Sequence, residues 1–181
     1  MERLLFLFLL LGSQAIAQSE HISNLSQNLV GYYDTASTTP LRVFNGINGH
    51  VVASLGPTTD KKNWLKITIV ESKNDWFRIE QIESMPDGIQ NNDVRNGWIP
   101  KSGVMLNIDS SDADKTIYIY DEASLNSNRI HKMDRCQPVY LLDINGTWAK
   151  IVFQVGRKKV EGWLNYQNQV AYPWSTCEIT N

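Results

Sequence analysis

The sequence predicts an all-β protein built from a tandem repeat. Two observations give the class: helical periodicity is scarce, and from residue 41 onward short runs rich in Val, Ile, Thr and aromatics alternate with clusters of Asn, Gly, Asp, Ser and Pro. A third gives the organisation, because the second half repeats the motif order of the first, a signal that sets the architecture when present.

The chain opens with Met1, Glu2 and Arg3, an apolar run over 4–11, and then Gly12, Ser13, Gln14 and Ala15-Ile16-Ala17. A charged start, a short apolar stretch and a small-x-small site predict a signal peptide over 1–17, cleaved after Ala17. The run is too short to cross a bilayer, so the mature protein is expected to be soluble and exported, periplasmic or secreted. In the N-terminal segment 18–40, Ile22, Leu25 and Leu29 suggest a short amphipathic helical turn. Strands are expected over 41–44, 65–70, 76–82, 117–120, 139–142 and 148–155.

Asn74-Asp75-Trp76-Phe77-Arg78-Ile79 matches Gly146-Thr147-Trp148-Ala149-Lys150-Ile151, each with a Trp, a basic residue two later and Ile three later. Each unit is followed by a Gly-Trp-apolar step, Gly97-Trp98-Ile99 and Gly162-Trp163-Leu164, and preceded by an apolar strand, Ile67-Thr68-Ile69-Val70 and Val139-Tyr140-Leu141-Leu142. Farther upstream, Leu41-Arg42-Val43-Phe44 and Ile117-Tyr118-Ile119-Tyr120 each lead into a polar loop. The polar, charged stretch 109–115 reads as the linker between the halves.

With these motifs in this order, each half resembles a bacterial SH3-like (SH3b) domain, a family of small five-stranded barrels common in exported and cell-envelope proteins. The resemblance covers 41–106 and 117–172. The first half departs from it by additional residues around 85–93. The resemblance implies two tandem SH3-like β-barrels, over 41–108 and over 116–181 including a C-terminal tail.

If Phe77, Ile79, Ala149, Ile151 and Phe153 fill the barrels, the period of two puts Trp76 and Trp148 on the outside. There they either form an aromatic platform for a peptide or sugar or are covered by loops or by the other barrel. Tyr118 and Tyr120 share one face of their strand, and with Phe44 complete the candidate ligand contacts. Trp98 and Trp163, each after a glycine, read as structural rings packed on nearby backbone.

Cys136 and Cys177 both fall in the exported part, where thiols pair, which predicts a disulfide. Closing a loop of about 40 residues is worth roughly 4 kcal/mol in the chain-entropy account. Nucleophilic catalysis by either Cys would need a His nearby, and His131 is the only one in the second half. His21, His50 and His131 have no metal-ligand spacing, and Asp109, Asp112 and Asp114 lack the Gly and terminal Glu of a calcium loop. No phosphate loop or nucleophile turn is present, so no metal, cofactor or enzymatic activity is expected. The net charge of −2 disfavours nucleic acid as a partner. Arg157-Lys158-Lys159 reads as an exposed basic hairpin tip. The resemblance implies an accessory or targeting module that binds peptide, a peptidoglycan-like cell-wall ligand or another exported envelope protein. The stretch 84–93 and the face between the barrels are the alternative contact surfaces for such a protein partner.

Overall fold

The computed structural model describes residues 22–34, 36–56, 63–108, 116–134, 137–166 and 169–170. The expected signal peptide over 1–17, the expected linker 109–115 and both cysteines lie outside the described residues. The architecture is all-β. Among the described residues, fourteen strands run in chain order: β1 Ile22–Tyr33, β2 Leu41–Phe44, β3 Val51–Leu55, β4 Trp64–Lys73, β5 Trp76–Met85, β6 Ile89–Gln90, β7 Trp98–Pro100, β8 Val104–Ile108, β9 Ile117–Tyr120, β10 Arg129–Met133, β11 Gln137–Asn145, β12 Trp148–Val155, β13 Lys158–Asn165 and β14 Gln169–Val170. A 3₁₀ turn, Asn92–Val94, precedes β7. Among the described residues no helix is long and apolar enough to cross a membrane.

The internal repeat is visible in the pairing. The first half follows the spatial order β4-β5-β7-β2-β3 and the second β11-β12-β13-β9-β10, the same five strands in the same order. The turns match as well: the β4–β5 hairpin places Asn74 at φ 51°, and the β11–β12 hairpin places Gly146 at φ 57°. Both turns need a residue that tolerates the left-handed region, which Gly does freely and Asn better than most. The loops after β2 and β9 close alike. Asn45 N–H donates to the His50 carbonyl at 3.0 Å while Asn45 Oδ1 accepts from His50 N–H at 2.9 Å; Asp121 N–H and Oδ1 make the same bonds to Asn128 at 3.0 and 2.9 Å.

The glycines of the two Gly-Trp steps have one shared reason. A Cβ on Gly97 would lie 2.5 Å from Val43 Cγ1 and 3.3 Å from the Phe44 carbonyl oxygen, and one on Gly162 would lie 2.7 Å from Ile119 Cγ2 and 2.6 Å from the Tyr120 carbonyl oxygen. In each repeat the backbone at the glycine, just before β7 or within β13, passes directly against the aromatic end of β2 or β9.

The sheet does not stop between the repeats. β8 pairs with β11 and with β1, and β1 pairs with β4, so the path runs from β10 at one edge to β3 at the other and stays open at both ends. Among the described residues, the pairing therefore forms an open sheet and closes neither repeat into a barrel. Apolar residues of both halves, among them Ile67, Ile79, Leu106, Ile119, Val139 and Ile151, form one buried core. The two edge strands are short, and each carries a bulge at the equivalent point, between Val43 and Phe44 in the β2–β3 pair and between Arg129 and His131 in the β10–β9 pair. Short, bulged edges discourage pairing with a further strand.

Among the described residues, three polar contacts also join the halves. Asp143 on β11 accepts from Ser72 on β4 and pairs with Lys101 Nζ at 3.0 Å. Tyr140 on β11 donates its hydroxyl to Asp34 Oδ2, just after β1, at 2.8 Å. Burial works against ionisation of Asp143, but the Ser72 and Lys101 hydrogen bonds, the Lys101 charge and the Ile144 N–H together hold its carboxyl below the ordinary value.

The segment expected to form a helical turn around Ile22, Leu25 and Leu29 is instead the twelve-residue strand β1. Apolar residues three and four apart over so short a window carry little helical information, and pairing to β4 and β8 decides the conformation. The additional residues around 85–93 extend the β5 strand and fold back on it as β6, with Glu83 opposite Gln90 and Ser84 opposite Ile89.

Candidate functional site

Strand alternation sets an outer face on each repeat. In β2, Leu41 and Val43 are buried while Arg42 is exposed and Phe44 half-buried; in β5, Phe77 and Ile79 are buried while Trp76 and Arg78 are half-buried. Cross-strand register brings these outward residues together, with Phe44 opposite Trp98, Arg78 opposite Trp98 and Trp76 opposite Pro100. The second repeat reproduces the set, with Tyr120 opposite Trp163, Lys150 opposite Trp163 and Trp148 opposite Asn165.

The rings pair in the same way in both. Phe44 and Trp76 meet edge to face with centroids 5.0 Å apart, and Tyr120 and Trp148 do so at 5.4 Å. Their exposure differs. Trp148 and Tyr120 are buried, at 9% and 7% exposure, whereas Phe44 and Trp76 remain half-buried. The two repeats thus share a scaffold but not an accessible aromatic surface.

Beside Phe44 the first repeat opens into a cleft of about 350 Å³. Pro40 lines it from just before β2, Arg42 and Phe44 from along β2, Tyr33 from the end of β1, and Pro100 and Ser102 from the end of β7 and the turn that follows. The Tyr33 hydroxyl lies 3.2 Å from Ser37 Oγ and 3.4 Å from Thr39 Oγ1, and those two hydroxyls are 3.0 Å apart, so a connected O–H group borders the cleft. Gly103, at φ 85°, seats this wall: a Cβ there would meet the Tyr33 ring at 2.8 Å. No acidic side chain is among the described residues lining the cleft. It offers apolar contact from Phe44 and two prolines, and hydrogen-bond donors from a guanidinium and hydroxyls.

Of the residues singled out in the sequence, Phe44 and Trp76 sit together at the cleft side of the first repeat, and Trp148 and Tyr120 sit together in the second, closed on each other. Tyr118 is half-buried beneath Arg129, whose guanidinium carbon lies 4.3 Å from its ring centroid. Trp98 and Trp163 share the outer faces and are half-buried. His131 packs edge-on against Phe153 at 5.4 Å. Among the described residues no group of His, Cys, Asp or Glu is arranged to hold a metal ion.

Sequence reasoning missed Tyr33, Arg42, Pro100 and Ser102. Arg42 was within reach of it, since the period that places Phe44 outward places Arg42 beside it. Tyr33 and the Ser37–Thr39 hydroxyls belong to a stretch outside the repeated motifs and carry no local signal of a shared cleft.

No family model matches the chain, and no curated protein matches it. Among solved structures, the chain is similar to NlpC2 from Trichomonas vaginalis, with 16% identity over 86% of this chain and 52% of that one and a TM-score of 0.32. It is similar to NlpC1 from the same organism, with 16% identity over 88% and 52% and a TM-score of 0.31. The chain spans about half the length of these structures.

Proposed function

We propose that this is an exported, non-enzymatic binding protein made of two SH3-like repeats, of which the first contacts peptide or a peptidoglycan-like cell-wall ligand. The observation that carries the reading is the half-buried Phe44–Trp76 pair beside a donor-rich cleft. Rigid aromatic rings next to a few placed polar groups are the usual composition of a recognition surface. The repeated five-strand order supports the SH3-like reading, and the buried Tyr120–Trp148 pair supports a structural role for the second repeat. The charged start, apolar run and small-x-small site over residues 1–17 support export.

The test is retention of the purified mature protein on isolated cell-wall material, compared with its retention on an extract of envelope proteins. Selective retention on cell walls that weakens in Phe44→Ala supports the proposal, and indifference to Phe44→Ala counts against it. A second reading, a structural or regulatory partner of another exported protein, is favoured by one feature. The 85–93 extension presents Ile89 at 60% exposure, an apolar contact with no service to the core. Retention on the envelope extract alone, lost in Ile89→Asp, would select it.

A further inference from the structure

We infer that the first-repeat cleft selects an extended peptide bearing a carboxylate, with Arg42 as the anion contact and Phe44 and Pro100 as the apolar floor. The inference rests on the binding reading above and narrows its ligand. Arg42 is exposed on the cleft wall, and no acidic partner for it occurs among the described residues. Several other cations of the fold are matched, Lys66 to Glu83 at 2.8 Å, Arg78 to Glu71 at 2.6 Å, Lys101 to Asp143 at 3.0 Å and Lys150 to Glu161 at 2.9 Å, and what sets Arg42 apart from the exposed Arg95, Lys132, Arg157 and Lys158 is its place on the cleft. A guanidinium presents a planar fork of N–H donors that fits a carboxylate with two parallel bonds.

The rest of the lining agrees in chemistry. Thr39 and Ser102 add hydroxyls that suit the same kind of acceptor, the Tyr33 O–H donates to the Thr39 carbonyl at 3.3 Å, and Pro40 and Pro100 supply apolar surface without a backbone N–H. One guanidinium among neutral donors matches a single negative charge, whereas phosphopeptide sites typically assemble clusters of Arg. The neighbouring Phe44 ring then asks for an apolar residue next to the acid.

The experiment uses the labelled mature chain on an array of acetylated, amidated octapeptides of varied apolar flanks, each made with Glu, Gln or phosphoserine at the centre. The expected result is that Glu peptides are bound about tenfold more tightly than their Gln counterparts, the order of a charge-assisted hydrogen bond, and that Arg42→Gln abolishes this difference. Arg157→Gln, which removes an exposed cation on the β12–β13 turn, should leave it unchanged. Peptide binding that weakens in Phe44→Ala but does not distinguish Glu from Gln overturns the carboxylate inference while supporting the binding reading. A preference for phosphoserine over Glu also overturns it. If no peptide is bound while cell-wall material still retains the protein, the peptide assignment is overturned and the wider reading stands.

Discussion

Phe44 and Trp76 meet edge to face at 5.0 Å with their planes at 82°, and Tyr120 and Trp148 repeat the arrangement at 5.4 Å and 85°. The pair is the clearest side-chain trace of the duplication, yet its two copies stand in different environments. Trp148→Ala removes a buried ring and is expected to destabilise by about 3–5 kcal/mol. Phe44→Ala removes a half-buried one and should cost roughly 1 kcal/mol, about half of what full burial contributes. Thermal or urea unfolding of both variants checks this ordering, and equal losses would place both pairs in the core.

Gly97 and Gly162 are required by close approach of backbone. Their Ala variants force a methyl into contacts of 2.5 Å with Val43 Cγ1 and 2.6 Å with the Tyr120 carbonyl oxygen, so each should lose about 1–3 kcal/mol. Gly46→Ala meets nothing within 4 Å and should stay within about 0.5 kcal/mol of the parent. Chemical denaturation of the three variants decides it.

The strands with alternating sequence were legible from the start. Leu41-Arg42-Val43-Phe44 and Ile117-Tyr118-Ile119-Tyr120 show period two, and both are strands with their odd-numbered apolar residues buried. β8 was not, because all five of its residues are buried and no alternation survives in Val104-Met105-Leu106-Asn107-Ile108. β3 and β10 were missed for the opposite reason: as edge strands they expose Val51, Val52 and Ile130, and their patterns follow no face. At the site, the outward setting of Trp76 follows from strand period. The closure of Trp148 does not, since it depends on how tightly tertiary neighbours cover one repeat and not the other.

Asp143 couples the halves through Ser72 and Lys101, and its carboxyl is held below the ordinary value of 3.8. A carboxylate with a depressed folded-state value contributes stability that is present above the unfolded value and lost as pH falls through the folded one. Asp143→Asn should therefore lower stability at neutral pH and flatten the fall in stability below 3.8. Glu83 and Glu161, held low chiefly by hydrogen bonds from Lys66 and Lys150, should leave a residual acid dependence in the variant. Denaturation midpoints across the acid range measure both, and an unchanged acid slope would remove Asp143 from the coupling.

Cys136 and Cys177 are expected to be joined in exported protein. Peptide mapping without reductant should recover the crosslinked pair, and two free thiols in material taken from its native compartment would refute the pairing.

The most direct test of the account is a titration of the mature protein, followed through its tryptophan indole N–H resonances, with solubilised cell-wall peptide fragments. Each resonance is assigned by single Trp→Phe substitution among the six tryptophans. The Trp76 resonance, whose ring leans on Phe44 beside the cleft, should move with ligand, while that of Trp148, closed against Tyr120, should stay in place. Movement of Trp148 with Trp76 fixed, or no movement of either at saturating ligand, would contradict the assignment of binding to the first repeat.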